Sequence, residues 1–446
     1  MRIKLFMVSV VVILAVVVSL AGMREFSTRN SNSVAAPAMQ PLGARATPGD
    51  RQIQLAEARI KNLPAAPDGY SLLAAAYMQK ARETGDFGFN ARAESAVRRS
   101  LEIAPDDSTA LTLHATLLLT YHRFREALEE AKHAQESNPE NADLYGVMTD
   151  AQVELGDYQE AIKAAQKMMN LRPNSAAYSR ASYLRELHGD LEGAIEAMRI
   201  AVKTANPSNP ENAGWYRVHL GLEMMNAGKR DEGEREFDIA LEIFPNYHLA
   251  LAAKARARAA AGDFDNAIEF YRRAQERVPL PEIVIALGDL YTKLGRTEEA
   301  KRQYELVEFI ERTGAASGTY SRQLALFWAD HDMKLDEALE IMQRERVARA
   351  DIYTSDALAW CLYKKGQLGA AQESIEQANR LGTRDARIFY HAGMIYDALG
   401  DRRRAAKYLQ LALDTDFSFN VLQADLAKRK FDELYAHARR GNPVNS

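Results

Sequence analysis

The stretch "LYGVMTDAQVELGDYQEAIKAAQKMMNLRP" (residues 144–173) carries one apolar pattern of helical period up to Leu155, then Gly156, then a second such pattern that Pro173 stops. Two helices joined by a tight turn are expected. Gly156 can take the left-handed backbone that closes the first helix. Asp157 is placed to cap the second, with Glu160 three residues on as a capping box requires. The small Ala161 lets the two helices approach closely.

The arrangement recurs. Gly156, Gly189, Gly228, Gly262, Gly295, Gly366 and Gly400 mark an interval of about 34 residues. The long gap between Gly295 and Gly366 holds one further unit, with Met333 of "ADHDMKLDEA" where the glycine would stand. Ala127, Ala194, Ala267, Ala300, Ala338, Ala371 and Ala405 repeat the role of Ala161, and Pro105, Pro139, Pro245 and Pro279 repeat that of Pro173.

Composition agrees with helix. Ala, Leu, Glu, Arg and Lys dominate, charged residues are 26% and hydrophobic residues 47% of 446. The net charge of −4 and the interleaving of signs, as in "REALEEAKH" (125–133), show no basic face, so nucleic acid is not expected as a partner. A single cysteine excludes an internal disulfide and a thiolate metal cluster.

Residues 1–23, "MRIKLFMVSVVVILAVVVSLAGM", place Arg2 and Lys4 before an apolar run from Leu5 to Ala21. This predicts a signal peptide or a signal-anchor helix, with the bulk of the chain on the outer side of a cytoplasmic membrane. The run suits an uncleaved anchor by length and cleavage by its small residues Ser19 and Ala21. Residues 24–50, rich in Ser, Asn, Ala, Pro and Gly, read as a flexible linker. Residues 51–66 read as an N-terminal capping helix, 67–417 as the repeat array, and 418–446 as a C-terminal capping helix and tail.

The repeat resembles the tetratricopeptide repeat (TPR) family. "VIALGDLYTKLGRTEEAKRQY" supplies Val284, Leu287, Gly288, Tyr291, Gly295, Ala300 and Tyr304, and "FYHAGMIYDALGDRRRAAKYLQLA" supplies Phe389, Gly393, Tyr396, Gly400, Ala405 and Ala412. The resemblance implies an all-α, right-handed superhelical solenoid of about ten helix-turn-helix units. It further implies a scaffold that binds protein or peptide segments on a concave surface lined by first helices, with no chemistry, cofactor or metal of its own. At the family's groove offsets stand Tyr320, Phe327, Tyr353, Asp356, Trp360, Tyr363, Lys364, Arg387 and Tyr390. Aromatic residues there offer large contact area at low entropic cost, and the same stripe would serve equally to pack units together. The alternative role is structural, self-association or envelope assembly through the convex face.

Three departures and three chemical candidates complete the reading. Extra residues fall near 82–90, 204–214 and 311–321, where curvature is expected to break. Lys254 and Arg258 occupy apolar offsets, as snorkelling stems, a buried ion pair or a shifted register. Cys361, mid-helix beside Trp360, reads as a packing residue, with no oxyanion-stabilising loop near His391. Asp330, His331 and Asp332 read as a solvated turn, since adjacent residues on a helix end diverge. "DRRRAAK" (401–407) reads as a solvated face that could alternatively meet anionic lipid or a partner.

Overall fold

A computed structural model describes residues 47–315 and 322–441, with side chains described up to residue 312 and from 322 to 436. Among them every regular element is α-helix. Helix α1 (Pro48–Asn62) precedes ten antiparallel pairs: α2/α3 (Pro67–Thr84, Gly88–Ile103), α4/α5 (Ser108–Thr120, Phe124–Ser137), α6/α7 (Ala142–Glu154, Tyr158–Leu171), α8/α9 (Ser175–Leu187, Leu191–Thr204), α10/α11 (Pro210–Asn226, Arg230–Ile243), α12/α13 (His248–Ala260, Phe264–Arg277), α14/α15 (Pro281–Lys293, Thr297–Ala315), α16/α17 (Arg322–Asp330, Leu335–Ala348), α18/α19 (Ile352–Lys364, Leu368–Ala378) and α20/α21 (Ala386–Ala398, Arg402–Thr415). Helix α22 (Gln423–Gly441) follows. The order is that of a TPR solenoid.

The glycines named above all sit in the left-handed region, from Gly295 at φ 71° to Gly156 at 80°. Each alanine at the matching place is buried, Ala161 and Ala371 completely, so no side chain holds the paired helices apart. First helices are buried on more than one side. In α6, Leu144, Tyr145, Val147, Thr149, Ala151 and Val153 are all covered, whereas α7 buries one stripe of Tyr158, Ala161, Ala164, Ala165 and Met168. At most junctions each first helix touches the next first helix, which makes the first helices the inner layer. Burial of a side chain such as Met168 contributes about 1.5–3 kcal/mol.

Several details differ from the sequence reading. Asp157 begins α7 without a side-chain capping bond, and Glu160 instead pairs with Lys163 at 2.6 Å. In the eighth unit the left-handed residues are Asp332 (φ 54°) and Lys334 (φ 43°), flanking Met333. Aspartate tolerates that region better than methionine because its short polar side chain bonds locally. Helix α1 begins at Pro48, inside the stretch read as linker, because Thr47 and Asp50 form a reciprocal capping box. Lys254 pairs with Asp238 and Arg258 with Glu234, both acids on α11, so those two positions are ion-paired, but at partly exposed sites and not as the buried pair expected. The leader at residues 1–23 and most of the linker lie outside the described residues. Among the described residues no helix is long and apolar enough to cross a membrane.

The solenoid closes on itself. Ile352 donates its backbone N–H to the Tyr158 hydroxyl, 194 residues away, at 2.9 Å. Ala350 donates to the Glu154 carbonyl at 3.0 Å, and Thr383 donates its hydroxyl to the Leu187 carbonyl. At Gly156 and Gly189 an added Cβ would stand 2.7 and 2.6 Å from the carbonyl oxygens of Ala350 and Gly382, closer than any side chain allows. Nearer the N-terminus, Gln79 and Asn209 exchange amide hydrogen bonds at 3.0 and 3.2 Å, and Arg82 pairs with Glu211 at 3.3 Å. Turns of the early units thus seat on junctions of much later ones, and the first helices enclose an interior.

Candidate functional site in the solenoid interior

That interior holds a chamber of about 550 Å³. First helices α10, α12 and α14 supply His219, Leu222, Leu249, Ala252, Arg256, Glu282 and Asp289, while the approach to α20 supplies Arg384, Asp385 and Arg387. Tyr353 of α18 and Glu186 of α8 complete the wall, and residues 415–421 cross it. Burial pushes the Glu186 carboxyl up to about 7, helped by Asp385, and holds His219 down at about 4. Burial thus disfavours charge on Glu186 and His219, which share the wall with Arg256, Arg384 and Arg387. A second opening of about 430 Å³ lies toward the N-terminal units, lined by Thr116, Thr120, Thr149, His122, Asp150 and Arg180.

The groove residues expected from sequence divide into two sets, and Tyr320 lies outside the described residues. Phe327, Asp356, Trp360 and Tyr390 are at most 2% exposed. Trp360 stacks on His391 with centroids 4.1 Å apart, and its Nε1–H donates to Asp330 at 2.8 Å. His391 Nδ1 lies 2.8 Å from an Asp356 oxygen, and Phe327 and Tyr304 bracket His331. These side chains join the eighth, ninth and tenth units to one another and present no surface to a ligand. Tyr353, Tyr363, Lys364 and Arg387 remain partly exposed. Of these, Tyr353 and Arg387 face the chamber; Tyr363 stacks on Trp360, and Lys364 pairs with Asp332 at 2.7 Å.

Cys361 is 1% exposed, and burial together with Asp330 and Asp356 pushes its thiol up to about 12. A thiol held protonated is no nucleophile. Of the run Asp330-His331-Asp332, the first two are more buried than the solvated turn expected, because the interior packs over them, while Asp332 is exposed as expected. Its members point to different partners: His331 Nε2 to Asp289 at 2.9 Å, Asp330 to Trp360 and to Gln423 at 2.6 Å, and Asp332 to Lys364.

Sequence reasoning missed the interior charges and the segment that crosses them. Asp416 places one carboxylate oxygen 3.1 Å from Arg230 and the other 3.2 Å from Arg256. Phe417 lies under the Arg230 guanidinium at 4.0 Å, and Phe419 packs on Tyr390 at 5.5 Å. The helix expected from residue 418 starts only at Gln423, because Asn420 accepts from the N–H groups of Leu422 and Gln423. Asp416 and Asn420, four residues apart and each able to fold the backbone onto its own side chain, were the available signal.

A repeated helical hairpin around an enclosed, polar interior defines a class of helical-repeat solenoid. Residues 118–182, 220–280, 281–308 and 386–419 match family models described as tetratricopeptide repeat. The chain belongs to the tetratricopeptide repeat family. A curated relative, the BBSome complex member BBS4 of Bos taurus, is 23% identical over 266 residues, 58% of this chain and 49% of that protein. The chain thus spans about half the length of that relative. Among solved structures, the human IFIT1 dimer with m7Gppp-AAAA is similar at 16% identity and a TM-score of 0.46, covering 74% of this chain and 76% of that one. Yeast Tom70 is similar at 14% identity and a TM-score of 0.37, covering 89% and 94%. These likenesses concern the fold alone.

One expectation is corrected: net charge does not exclude nucleic acid as a partner. The physical reason is that net charge averages the whole surface, whereas Arg230, Arg256, Arg384 and Arg387 gather at the interior.

Proposed function

We propose that the chain is an interaction scaffold whose interior binds protein segments, without chemistry of its own, and that residues 1–23 direct or hold it on the outer side of a cytoplasmic membrane. The observation that carries the reading is the chamber of about 550 Å³, walled by first helices from six units, with partly exposed Leu222, Leu249, Ala252, Tyr353 and Arg387 and exposed Arg384 on its wall. Apolar wall with a few fixed polar groups is what a segment-binding surface needs. The family's use of first-helix surfaces for recognition supports the same conclusion.

The test is capture of crosslinked partners from the native membrane fraction by a chain carrying Ala252→Glu and Arg384→Glu. Both positions line the chamber, Ala252 on α12 and Arg384 in the connection before α20, so the fold is retained and capture is lost. Undiminished capture by a variant of native helix content would overturn the reading.

One observation favours the alternative, association through the outer layer. A cleft of about 600 Å³ between α7 and α9 is lined by Ile162, Met169, Tyr178, Leu184 and Ile200, and Ile162 is 39% exposed. Ile162→Glu would abolish assembly under that reading and leave interior capture unchanged.

A further inference from the structure

Like the connections that hold Ala350 and Thr383, the connection after the tenth unit reaches units far away in sequence. Between the end of α21 at Thr415 and the start of α22 at Gln423 it crosses the interior and engages units far away in sequence. Asp416 is held by Arg230, 186 residues earlier, and by Arg256, 160 residues earlier. Arg230 also donates to the Ser418 hydroxyl at 3.1 Å and covers the ring of Phe417. Phe419 lies on Tyr390, Asn420 reaches Asp289 at 3.5 Å, and Val421 packs on the core formed by α12 to α15.

Three aspects make this a recognition mode rather than a packed joint. Arg230 and Arg256 come from different units, and each has Asp416 as its carboxylate partner. The Asp416 side chain is 11% exposed, so the three-way contact is drawn largely out of water, where charge-assisted bonds are strong. Phe417 is 61% exposed although it lies against Arg230, so the aromatic adds contact without joining the core. Fixed charges from the solenoid on one side and a tightly turned segment with two alternate aromatics on the other are how the solenoid holds this piece of chain.

We infer that Arg230, Arg256 and Tyr390 form a subsite for an acidic-aromatic peptide, Asp followed by aromatics at the next position and two beyond it, and that residues 416–419 are its built-in occupant. An external segment of the same chemistry enters the interior by displacing them. The inference rests on the interior being the binding surface and names which segments it takes.

The experiment uses the full chain and a fluorescein-labelled peptide of residues 415–421, Thr-Asp-Phe-Ser-Phe-Asn-Val, followed by polarisation. Asp416→Asn with Phe419→Ala releases the internal segment. The released variant binds the peptide saturably and about tenfold more tightly than the native chain, because the competitor is gone. Adding Arg230→Ala and Arg256→Ala removes binding, and a peptide with Asn for Asp loses about tenfold. In the otherwise native chain, the same two arginine substitutions speed hydrogen exchange at residues 417–421 by about tenfold, a readout independent of whether the released variant folds. Absence of saturable binding by a folded released variant, equal affinity for native and released chains, or unchanged exchange overturns the assignment. Displacement of the peptide by a 5′-triphosphate oligonucleotide at lower concentration than by unlabelled peptide also overturns it, assigning the arginines to phosphate. Partner capture that survives in the folded released variant without peptide binding rejects the acidic-aromatic subsite and keeps the interior reading; loss of both rejects the reading itself.

Discussion

Ile352 donates its backbone N–H to the hydroxyl of Tyr158 across 194 residues of sequence, at 2.9 Å and out of contact with water. That bond, with Ala350 on the Glu154 carbonyl and Arg380 over the Tyr158 ring at 5.2 Å, fastens early units to late ones. An open repeat array has only nearest-neighbour interfaces, so its stability is nearly a sum over units and its ends fray independently. The fastening changes that.

Tyr158→Phe leaves a buried N–H without an acceptor and is expected to cost about 1–3 kcal/mol of stability in urea unfolding. Gly156→Val acts more strongly, since its Cβ would meet the Ala350 carbonyl at 2.7 Å on a backbone that disfavours side chains. Under this account the native chain unfolds in one transition by circular dichroism and by tryptophan fluorescence. The valine variant separates into two, with the C-terminal units, which hold Trp328 and Trp360, melting apart from the rest.

Within a unit the close approach of paired helices rests on alanine. Ala371, fully buried where α18 and α19 meet, tolerates no larger side chain. Ala371→Leu is expected to destabilise by about 1–3 kcal/mol through overpacking, measured as a lower urea midpoint, while Ala371→Ser stays within about 1 kcal/mol.

Glu223 on α10 is 4% exposed and accepts from Ser182 at 2.5 Å; burial pushes its carboxyl up to about 8 from an ordinary 4.5. Below pH 4.5 it is protonated in folded and unfolded chains alike. As pH rises toward 8 the unfolded carboxyl releases its proton while the folded one keeps it, so this group's contribution lowers stability over that window. Glu223→Gln, neutral at every pH and still able to accept from Ser182, is expected to flatten the decline by roughly 2 kcal/mol between pH 5 and 8. Urea midpoints across that range check it.

The Cys361 thiol, buried and held protonated, is expected to react with a disulfide reagent roughly 100-fold more slowly in the native chain than in urea. A burst of labelling in native buffer would show that the ninth unit opens.

What could be read from the sequence follows from what repeats. Turn glycines and packing alanines recur because each unit solves the same local problem, so the helices, their pairing and the solenoid class were legible. Asp332 displaced the expected left-handed position because one irregular turn breaks the phase that a repeat supplies. Trp360 and Tyr390 sit at groove offsets of the motif, yet the inner layer is crowded enough at the C-terminal end that they pack between units. The fastening of Tyr158 to Ile352 and the seat of Asp416 between Arg230 and Arg256 join residues whose relation depends on how far the superhelix curls. No local pattern encodes that curl, which accumulates from small rotations at every junction.

The central claim is that partners bind inside the solenoid, and site-resolved photocrosslinking tests it most directly. A benzophenone amino acid is placed at Ala252 or Tyr353, which face the chamber, and at Lys163, which lies on the outer layer and is paired there with Glu160. The account predicts partner crosslinks from the two interior positions and none from Lys163. Crosslinks from Lys163 with silence at Ala252 and Tyr353 would contradict it.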